Sequence, residues 1–161
     1  MSQPEPDRQF AIRSATGDDA DVLTEFRIAM SRDAGFIKGE DDVTELREAT
    51  RRYIREKVGS CELRCWIAEL DGVPVASAAV MVRHGPPNLK DLRRREAYVL
   101  NVYTQPEHRR KGLATALTQR VLEWCASRGI RKISLHATGD GARIYERFGF
   151  RDEEREMILR R

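Results

Sequence analysis

The stretch YVLNVYTQPEHRRKGLATAL, residues 98–117, joins a strand-like run to a helical run through a short basic loop. The first part is rich in β-branched and aromatic residues, which favour a strand, and Pro106 ends that strand. The last part places small and apolar residues at helical spacing directly after Gly112. Three cations at residues 109–111 precede that glycine, although a helix N-terminus already carries partial positive charge. Either local charge balance overrides this preference, or an anion binds there.

The turn into this helix has the features of a phosphate site. Unpaired backbone N–H groups at a helix start act together with the helix dipole to attract an oxyanion. Gly112 lets the backbone approach such a group closely, and Ala114 is small enough to do the same. The loop is neither a Walker A motif nor a GxGxxG motif, because Lys111 precedes its glycine and no second glycine follows. A basic surface loop ahead of a core helix remains the alternative at this point.

The whole sequence predicts one mixed α/β domain over residues 9–161, preceded by a loose tail over residues 1–8. A chain of 161 residues is long enough to bury a core of its own. The apolar spacings predict the element order β-α-α-β-β-β-α-β-α-β, with a tight turn at Asp71-Gly72. The predicted strands are 10–16, 61–70, 73–85, 96–105, 132–138 and 150–160, and the predicted helices are 17–30, 42–58, 111–128 and 141–149.

The composition argues against several classes of function. The 29 Lys and Arg residues nearly balance the 26 Asp and Glu residues, and a net charge of +3 is too small to indicate nucleic-acid binding. The three cysteines and three histidines are scattered, so neither a disulfide framework nor a metal site is predicted. No segment has the apolar length of a signal peptide or a membrane span. We therefore expect a reduced, cytoplasmic protein with no metal, no nucleic-acid partner and no membrane partner.

Two segments resemble the signature segments of the GNAT superfamily, the acyl-CoA-dependent N-acyltransferases. RRKGLA, residues 109–114, resembles the family's Q/R-x-x-G-x-G/A motif, and GARIYERFGF, residues 141–150, resembles its second segment, a tyrosine-bearing helix followed by Gly-Phe. The resemblance implies a mixed central sheet of about six strands with about four helices. It also implies that the central strand is splayed from its neighbour and bulged near Asn101.

The same resemblance implies acetyl-CoA as co-substrate and assigns residues to it. Backbone groups freed by the bulge pair with the pantetheine arm, and the amides at the helix start hold the pyrophosphate. Thr138 stands where many members of the family carry an asparagine that contacts the coenzyme. The cofactor-binding residues implied in this way are Val102, Thr104, Arg109, Arg110, Lys111, Gly112, Leu113, Ala114 and Thr138.

The chemistry needs a proton donor for the departing thiolate and a proton acceptor for the attacking amine. The resemblance assigns Tyr145 as the general acid. The base stays open between Glu96, which begins the central strand, His84, Glu69 and a water relay. His136 is expected to be a partly buried structural residue.

No cysteine stands in a nucleophile position, so the resemblance implies direct attack in a ternary complex. The expected acceptor is a small-molecule amine, and members of the family often form homodimers. The alternatives are acetylation of protein N-termini or lysines, and a sensor that binds acyl-CoA without catalysis.

Overall fold

The computed structural model describes residues 10–153 and 159–160, and it contains one five-stranded sheet in the order β1-β2-β3-β4-β5. The first three pairs of neighbours are antiparallel and the last pair, β4 with β5, is parallel, so the predicted mixed sheet is confirmed. The strands are β1 (Phe10–Ser14), β2 (Leu63–Leu70), β3 (Val73–His84), β4 (Arg95–Thr104) and β5 (Lys132–Leu135). The predicted tail over 1–8 lies outside the described residues, as do residues 154–158 of the predicted sixth strand.

Among the described residues four helices accompany the sheet, as predicted: α1 (Ala20–Asp33), α2 (Thr44–Lys57), α3 (Leu113–Ser127) and α4 (Gly139–Arg147). A short 3-10 turn, Gly17–Asp19, precedes α1, so that helix begins three residues later than predicted. The carboxylate of Asp19 accepts hydrogen bonds from the Thr16 backbone N–H and from Arg13, which closes this turn. None of the four helices has the length and apolar content needed to span a bilayer, within the residues that the structure describes.

The hairpin between β2 and β3 has the predicted tight turn. Asp71 and Gly72 both adopt left-handed backbone conformations, with φ of 52° and 79°. Two left-handed residues match the right-handed twist of the strands that they join, which is why Asp-Gly suits this position.

A bulge interrupts β4 at the predicted place. Ser77 of β3 lies opposite Tyr103, whereas Ala79 lies opposite Leu100, so β4 carries one extra residue between these pairs. Asn101 within this bulge has a φ of 52°, a left-handed conformation that asparagine tolerates better than most residues. The pairing of β4 with β5 ends at Val99, and β4 has no strand partner on that side beyond it among the described residues. The two strands therefore form a fork that opens next to the bulge.

Both faces of the sheet are covered. On one face, α3 packs an apolar stripe against the sheet, formed by Leu113, Leu117, Val121 and Cys125. On the other face, α1 and α2 enclose a second core cluster that includes Leu23, Ile54, Leu63, Cys65, Ile67 and Ala79. This second face carries the side chains of Leu100 and Met81, so the bulge lies beside α1.

The buried apolar stripe of α3 should contribute more to the free energy of unfolding than exposed apolar residues do. Leu117 is fully buried (0 % exposed), and we expect Leu117→Ala to lower the free energy of unfolding by about 2–5 kcal/mol, because it removes buried apolar surface and leaves a cavity. Leu46 of α2 is 44 % exposed, and the same change there should cost less than about 1 kcal/mol. Urea denaturation of both variants measures the difference, and equal losses would contradict this packing.

Candidate active site

The loop between β4 and α3 presents a row of backbone donors. Gly112 is the N-cap of α3 with φ 81° and ψ 3°, so the helix begins at Leu113, two residues later than predicted. Arg110 is also left-handed, with a φ of 62°. Within residues 10–153 and 159–160, the backbone N–H groups of residues 110–114 donate no hydrogen bond. A left-handed residue followed by a right-handed one forms a concave nest of N–H groups, and such a nest at a helix N-terminus has the geometry and the partial positive charge that suit an anion.

Of the three cations in this loop, Arg109 is the one whose side chain bonds to other residues in the described part of the protein. Its Nε donates to the carbonyl oxygen of Thr104 at 3.0 Å, and its guanidinium pairs with Asp33 at the end of α1. The guanidinium carbon also lies 5.8 Å from the centre of the Tyr103 ring. Arg109 therefore ties the loop to α1 and β4, and a contact between its side chain and a phosphate would compete with these bonds.

Arg110 and Lys111 are the more available cations. Both side chains are exposed, and neither makes an ion pair in the part of the chain that the structure describes. They flank the nest of N–H groups. The sequence grouped the three cations together, whereas the structure separates Arg109 from the other two.

The two predicted pantetheine positions lie on the free edge of β4. Val102 packs its side chain against the core beneath α3, and Thr104 pairs with Ala76 of β3. The carbonyl of Thr104 already accepts from Arg109. The stretch from Leu100 to Thr104 has no strand partner on the β5 side among the described residues, so its backbone can pair with an extended ligand there.

Thr138 and Tyr145 lie on either side of Gly141. A Cβ at Gly141 would stand 3.4 Å from the Tyr145 ring and 3.5 Å from the Thr138 hydroxyl oxygen. Thr138 is the N-cap of α4, and its carbonyl accepts hydrogen bonds from the backbone of Gly141 and Ala142, while its hydroxyl does not cap the helix.

Tyr145 is half-buried in α4, and its ring meets Phe150 edge-to-face at 5.9 Å between centroids. Burial raises the pKa of the Tyr145 hydroxyl above its ordinary value. The group is therefore a protonated donor at neutral pH. In the ranges that the structure covers, this hydroxyl makes no hydrogen bond of its own.

The structure places Glu96 away from the bulge and among cations. Glu96 is the second residue of β4 and lies five residues before Asn101, roughly 16 Å away along the strand. Its carboxylate pairs with Arg94 at 3.1 Å and with Lys132 at 3.5 Å. Desolvation acts to raise the pKa of Glu96, but hydrogen bonds and charges from Arg94 and Lys132 outweigh it and leave the pKa below its ordinary value. A general base near neutral pH needs the opposite shift, so the geometry argues against Glu96 in that role.

The two other open candidates for the base are also distant from the bulge. Glu69 accepts a hydrogen bond from Arg13 at 2.7 Å and stands near the β2–β3 turn. His84 is exposed at the last position of β3, opposite Arg95. Each stands at an end of its strand, whereas the bulge faces the middle of β3.

Unlike the three candidates for the base, a hydrogen-bonded tyrosine–histidine pair lies at the fork between β4 and β5. The Tyr98 hydroxyl lies 2.6 Å from Nδ1 of His136, and the Arg83 guanidinium lies 5.2 Å from the centre of the Tyr98 ring. Tyr98 immediately precedes Val99, where the pairing of β4 with β5 ends, and His136 immediately follows β5. His136 is exposed, so the expectation that it is partly buried is wrong: β5 ends at Leu135 and leaves it outside the sheet.

A cavity of about 410 Å³ lies between α1, α2 and the sheet and reaches the bulge, where Leu100 and Asn101 line it. Arg27 of α1 also lines it and donates from Nη1 to the side-chain oxygen of Asn101 at 2.6 Å. Sequence reasoning missed Arg27, although a signal was present. It lies four residues after Leu23, on the apolar stripe of α1, where a charged residue is out of place.

The buried cysteines do not supply a thiolate. Cys65 lines the cavity and burial raises its pKa to about 12, with Asp19 adding to the effect. Cys125 lies in the core beneath α3, where burial raises its pKa to about 11. Both thiols are therefore neutral at physiological pH.

Comparisons with known proteins agree with this architecture. The model of the acetyltransferase (GNAT) family matches residues 26–150. A crystal structure described as a predicted acetyltransferase with acetyl-CoA, from Clostridium acetobutylicum, superimposes with a TM-score of 0.84 at 30% sequence identity. That match covers 94% of this chain and 96% of the other. The chain therefore belongs to the acetyltransferase (GNAT) family.

Two curated relatives are longer than this chain. N-acetyltransferase 8 of Homo sapiens is 28% identical over 112 residues, which are 67% of this chain and 45% of the human protein. An uncharacterized N-acetyltransferase of Methanocaldococcus jannaschii is 27% identical over 155 residues, which are 94% of this chain and 64% of the archaeal protein. This chain thus spans about half to two thirds of these relatives.

Proposed function

We propose that this chain is an N-acetyltransferase that transfers the acetyl group of acetyl-CoA to a primary amine of a small molecule. The observation that carries the proposal is the row of N–H groups at residues 110–114, which have no partner among the described residues and follow the edge of β4 that has no described strand partner beyond Val99. A pyrophosphate suits the first feature and an extended amide-bearing arm suits the second. Family membership and the similar Clostridium acetobutylicum structure with acetyl-CoA support the same coenzyme.

The coenzyme is held mainly by backbone groups in this proposal. The amides from Arg110 to Ala114, with Leu113 at the start of α3, bind the pyrophosphate, and Arg110 and Lys111 add charge. Val102 and Thr104 offer backbone groups to the pantetheine arm, and the Thr138 hydroxyl adds a contact near the sulfur. Arg109 serves as a positioning residue, because its bonds to Asp33 and Thr104 fix the path of the loop.

The reaction is a direct transfer within a ternary complex. The amine nitrogen attacks the thioester carbonyl carbon, the new C–N bond forms, and the C–S bond breaks. The Tyr145 hydroxyl donates to the departing thiolate, since its raised pKa keeps it protonated until that charge develops. The amine proton passes to the Tyr98–His136 pair, in which the Tyr98 oxygen accepts it while its own proton moves to Nδ1 of His136.

The proposed base predicts a loss of rate in two variants. His136→Gln should lower kcat/KM by roughly 10²-fold, because glutamine cannot take up the proton that Tyr98 passes on. Tyr98→Phe should lower kcat/KM similarly, because it interrupts the relay. Steady-state kinetics of both variants, with His84→Gln and Glu96→Gln as comparisons, measures the effect. If His84→Gln or Glu96→Gln causes the loss and His136→Gln does not, the proposed base is wrong.

Binding of the coenzyme is tested by thermal unfolding with acetyl-CoA, ATP and NAD at equal concentration. A ligand at about 100 times its Kd stabilises a fold by about 2.7 kcal/mol. We expect a clear rise in melting temperature with acetyl-CoA and none of that size with ATP or NAD. No rise with any acyl-CoA would overturn the proposal.

A further inference from the structure

The cavity between α1, α2 and the sheet has the size of a ligand site. Its volume of about 410 Å³ far exceeds a packing defect, because protein interiors hold few voids larger than a water molecule. Ligand pockets begin at roughly 300 Å³. Most of its lining is apolar and comes from both helices and from the sheet, including Leu23, Ile54, Leu63, Met81 and Leu100.

One end of this apolar cavity carries a positive charge that has no acidic partner in the described part of the chain. Arg27 is half-buried, and its one hydrogen bond among the described residues goes to the neutral side-chain oxygen of Asn101. By contrast, Arg47 and Arg51 on the neighbouring helix pair with Glu25 and Asp21 of α1. A partly desolvated charge beside apolar surface is costly until an opposite charge meets it. Arg27 therefore suits an anionic group of a ligand.

The position of this charge relates it to the chemistry. Asn101 lies in the bulge of β4, so its bond to Arg27 holds the guanidinium beside the fork at which the thioester is proposed to arrive. The remaining guanidinium N–H groups can form the paired hydrogen bonds that arginine makes with a carboxylate. A carboxylate bound there brings a neighbouring amine close to the bulge, while an apolar body extends into the cavity.

We propose that the acceptor is an α-amino acid with a large apolar side chain, whose carboxylate binds Arg27 and whose side chain fills the cavity. The inference rests on the proposed function, since the α-amine is the group that receives the acetyl. A long acyl chain of the coenzyme is the competing occupant of the cavity. Because an acyl chain carries no charge, it would leave the Arg27 guanidinium without an anionic partner, whereas the carboxylate of an amino acid supplies one.

The test compares phenylalanine, phenylalaninamide, phenethylamine and alanine as acceptors with acetyl-CoA. We expect the wild-type protein to prefer phenylalanine over the amide and the amine by about 10- to 100-fold in kcat/KM, the range for hydrogen bonds to a charged group. Phenylalanine should also exceed alanine by at least about 10-fold, because its ring buries apolar surface. Arg27→Gln should remove the preference over the amide, and Arg27→Lys should restore part of it.

Arg120→Gln is the matched control. Arg120 lies on α3, across the sheet from the cavity, and its side chain is half-exposed. The Arg120→Gln variant should retain the wild-type preference for phenylalanine over phenylalaninamide. Each variant should also have the melting temperature of the wild type and the same rise in melting temperature with acetyl-CoA. This control separates a loss of acceptor recognition from a loss of folding or of coenzyme binding.

The contradicting outcomes are distinct. Equal rates with phenylalanine and phenethylamine would overturn the inference and leave the proposed function intact. Acetylation of polyamines or amino sugars but of no amino acid would have the same consequence. A kcat/KM that rises steadily with the length of the acyl chain of acyl-CoA would also overturn the inference alone. A protein that neither binds acetyl-CoA nor acetylates any amine would overturn the proposed function, and this inference with it.

Discussion

We expect Tyr145→Phe to lower kcat by about 10²- to 10⁴-fold, the range for loss of a general acid, while the Kd of acetyl-CoA stays within a few fold. The phenol is protonated at neutral pH because burial raises its pKa, and its hydroxyl makes no hydrogen bond in the described part of the chain. The substitution removes one oxygen and keeps the ring in its edge-to-face contact with Phe150. Steady-state kinetics together with calorimetric titration of acetyl-CoA separates the two effects.

Tyr103→Phe is the matched control for this experiment. Tyr103 is a buried tyrosine of β4 that packs against Phe26 and contacts Arg109, so it touches the loop proposed to hold the coenzyme but takes no part in the proposed proton transfers. The Tyr103→Phe variant, which also loses one hydroxyl group, should have a kcat within a few fold of the wild-type value. If Tyr145→Phe also leaves kcat unchanged, the tyrosine is a packing residue and the general acid lies elsewhere. A wild-type protein that binds acetyl-CoA without turnover would favour the sensor alternative.

The second large effect is expected at Gly112. Gly112→Asp should raise the Kd of acetyl-CoA by about 10²- to 10³-fold, because it places a negative charge where phosphate oxygens are proposed to bind. Gly112→Asn has nearly the same shape and tolerates the left-handed conformation of this position, so it should bind within about 10-fold of the wild type. Apart from its neighbours along the chain, no heavy atom of the described residues lies within 4 Å of a Cβ at this glycine, so the first atom of either side chain meets open space.

Gly129 provides the control at the other end of α3. It is also left-handed, with a φ of 66°, and a Cβ there would meet no atom of the described residues within 4 Å apart from its chain neighbours. Gly129→Asp therefore carries the same backbone strain and the same charge, far from the proposed phosphate site. We expect it to cost some stability and to leave the Kd of acetyl-CoA unchanged. Equal weakening by Asp at both glycines would show that the charge acts through folding rather than through the coenzyme.

Much of the fold was predictable because its signals are local. The Asp71-Gly72 turn, the β-rich run of β4 and the apolar stripe of α3 are each encoded in a few consecutive residues. The predicted start of α3 at Lys111 is two residues early, because the spacing of apolar residues does not reveal where the backbone turns left-handed. Only the left-handed conformations of Arg110 and Gly112 move the helix start to Leu113.

The site was less predictable, because its side chains come from distant parts of the chain. Arg27 and Asn101 are 74 residues apart, and nothing in either segment indicates that they meet. The same holds for Tyr98 and His136, which come together only because β4 and β5 are parallel neighbours. Likewise, spacing could not separate Arg109 from Arg110 and Lys111, because the partner that engages Arg109 is Asp33 of α1.

The most direct measurement of the central claim follows both products of the reaction. Acetyl-CoA is incubated with the protein and a panel of primary amines, and free thiol and N-acetylated amine are quantified together by a thiol reagent and mass spectrometry. We expect one N-acetylated amine for each thiol released, with no acetyl group on the protein in the absence of amine. Thiol release without an acetylated amine, or an acetylated protein that forms before amine is added, would contradict direct transfer from acetyl-CoA to an amine.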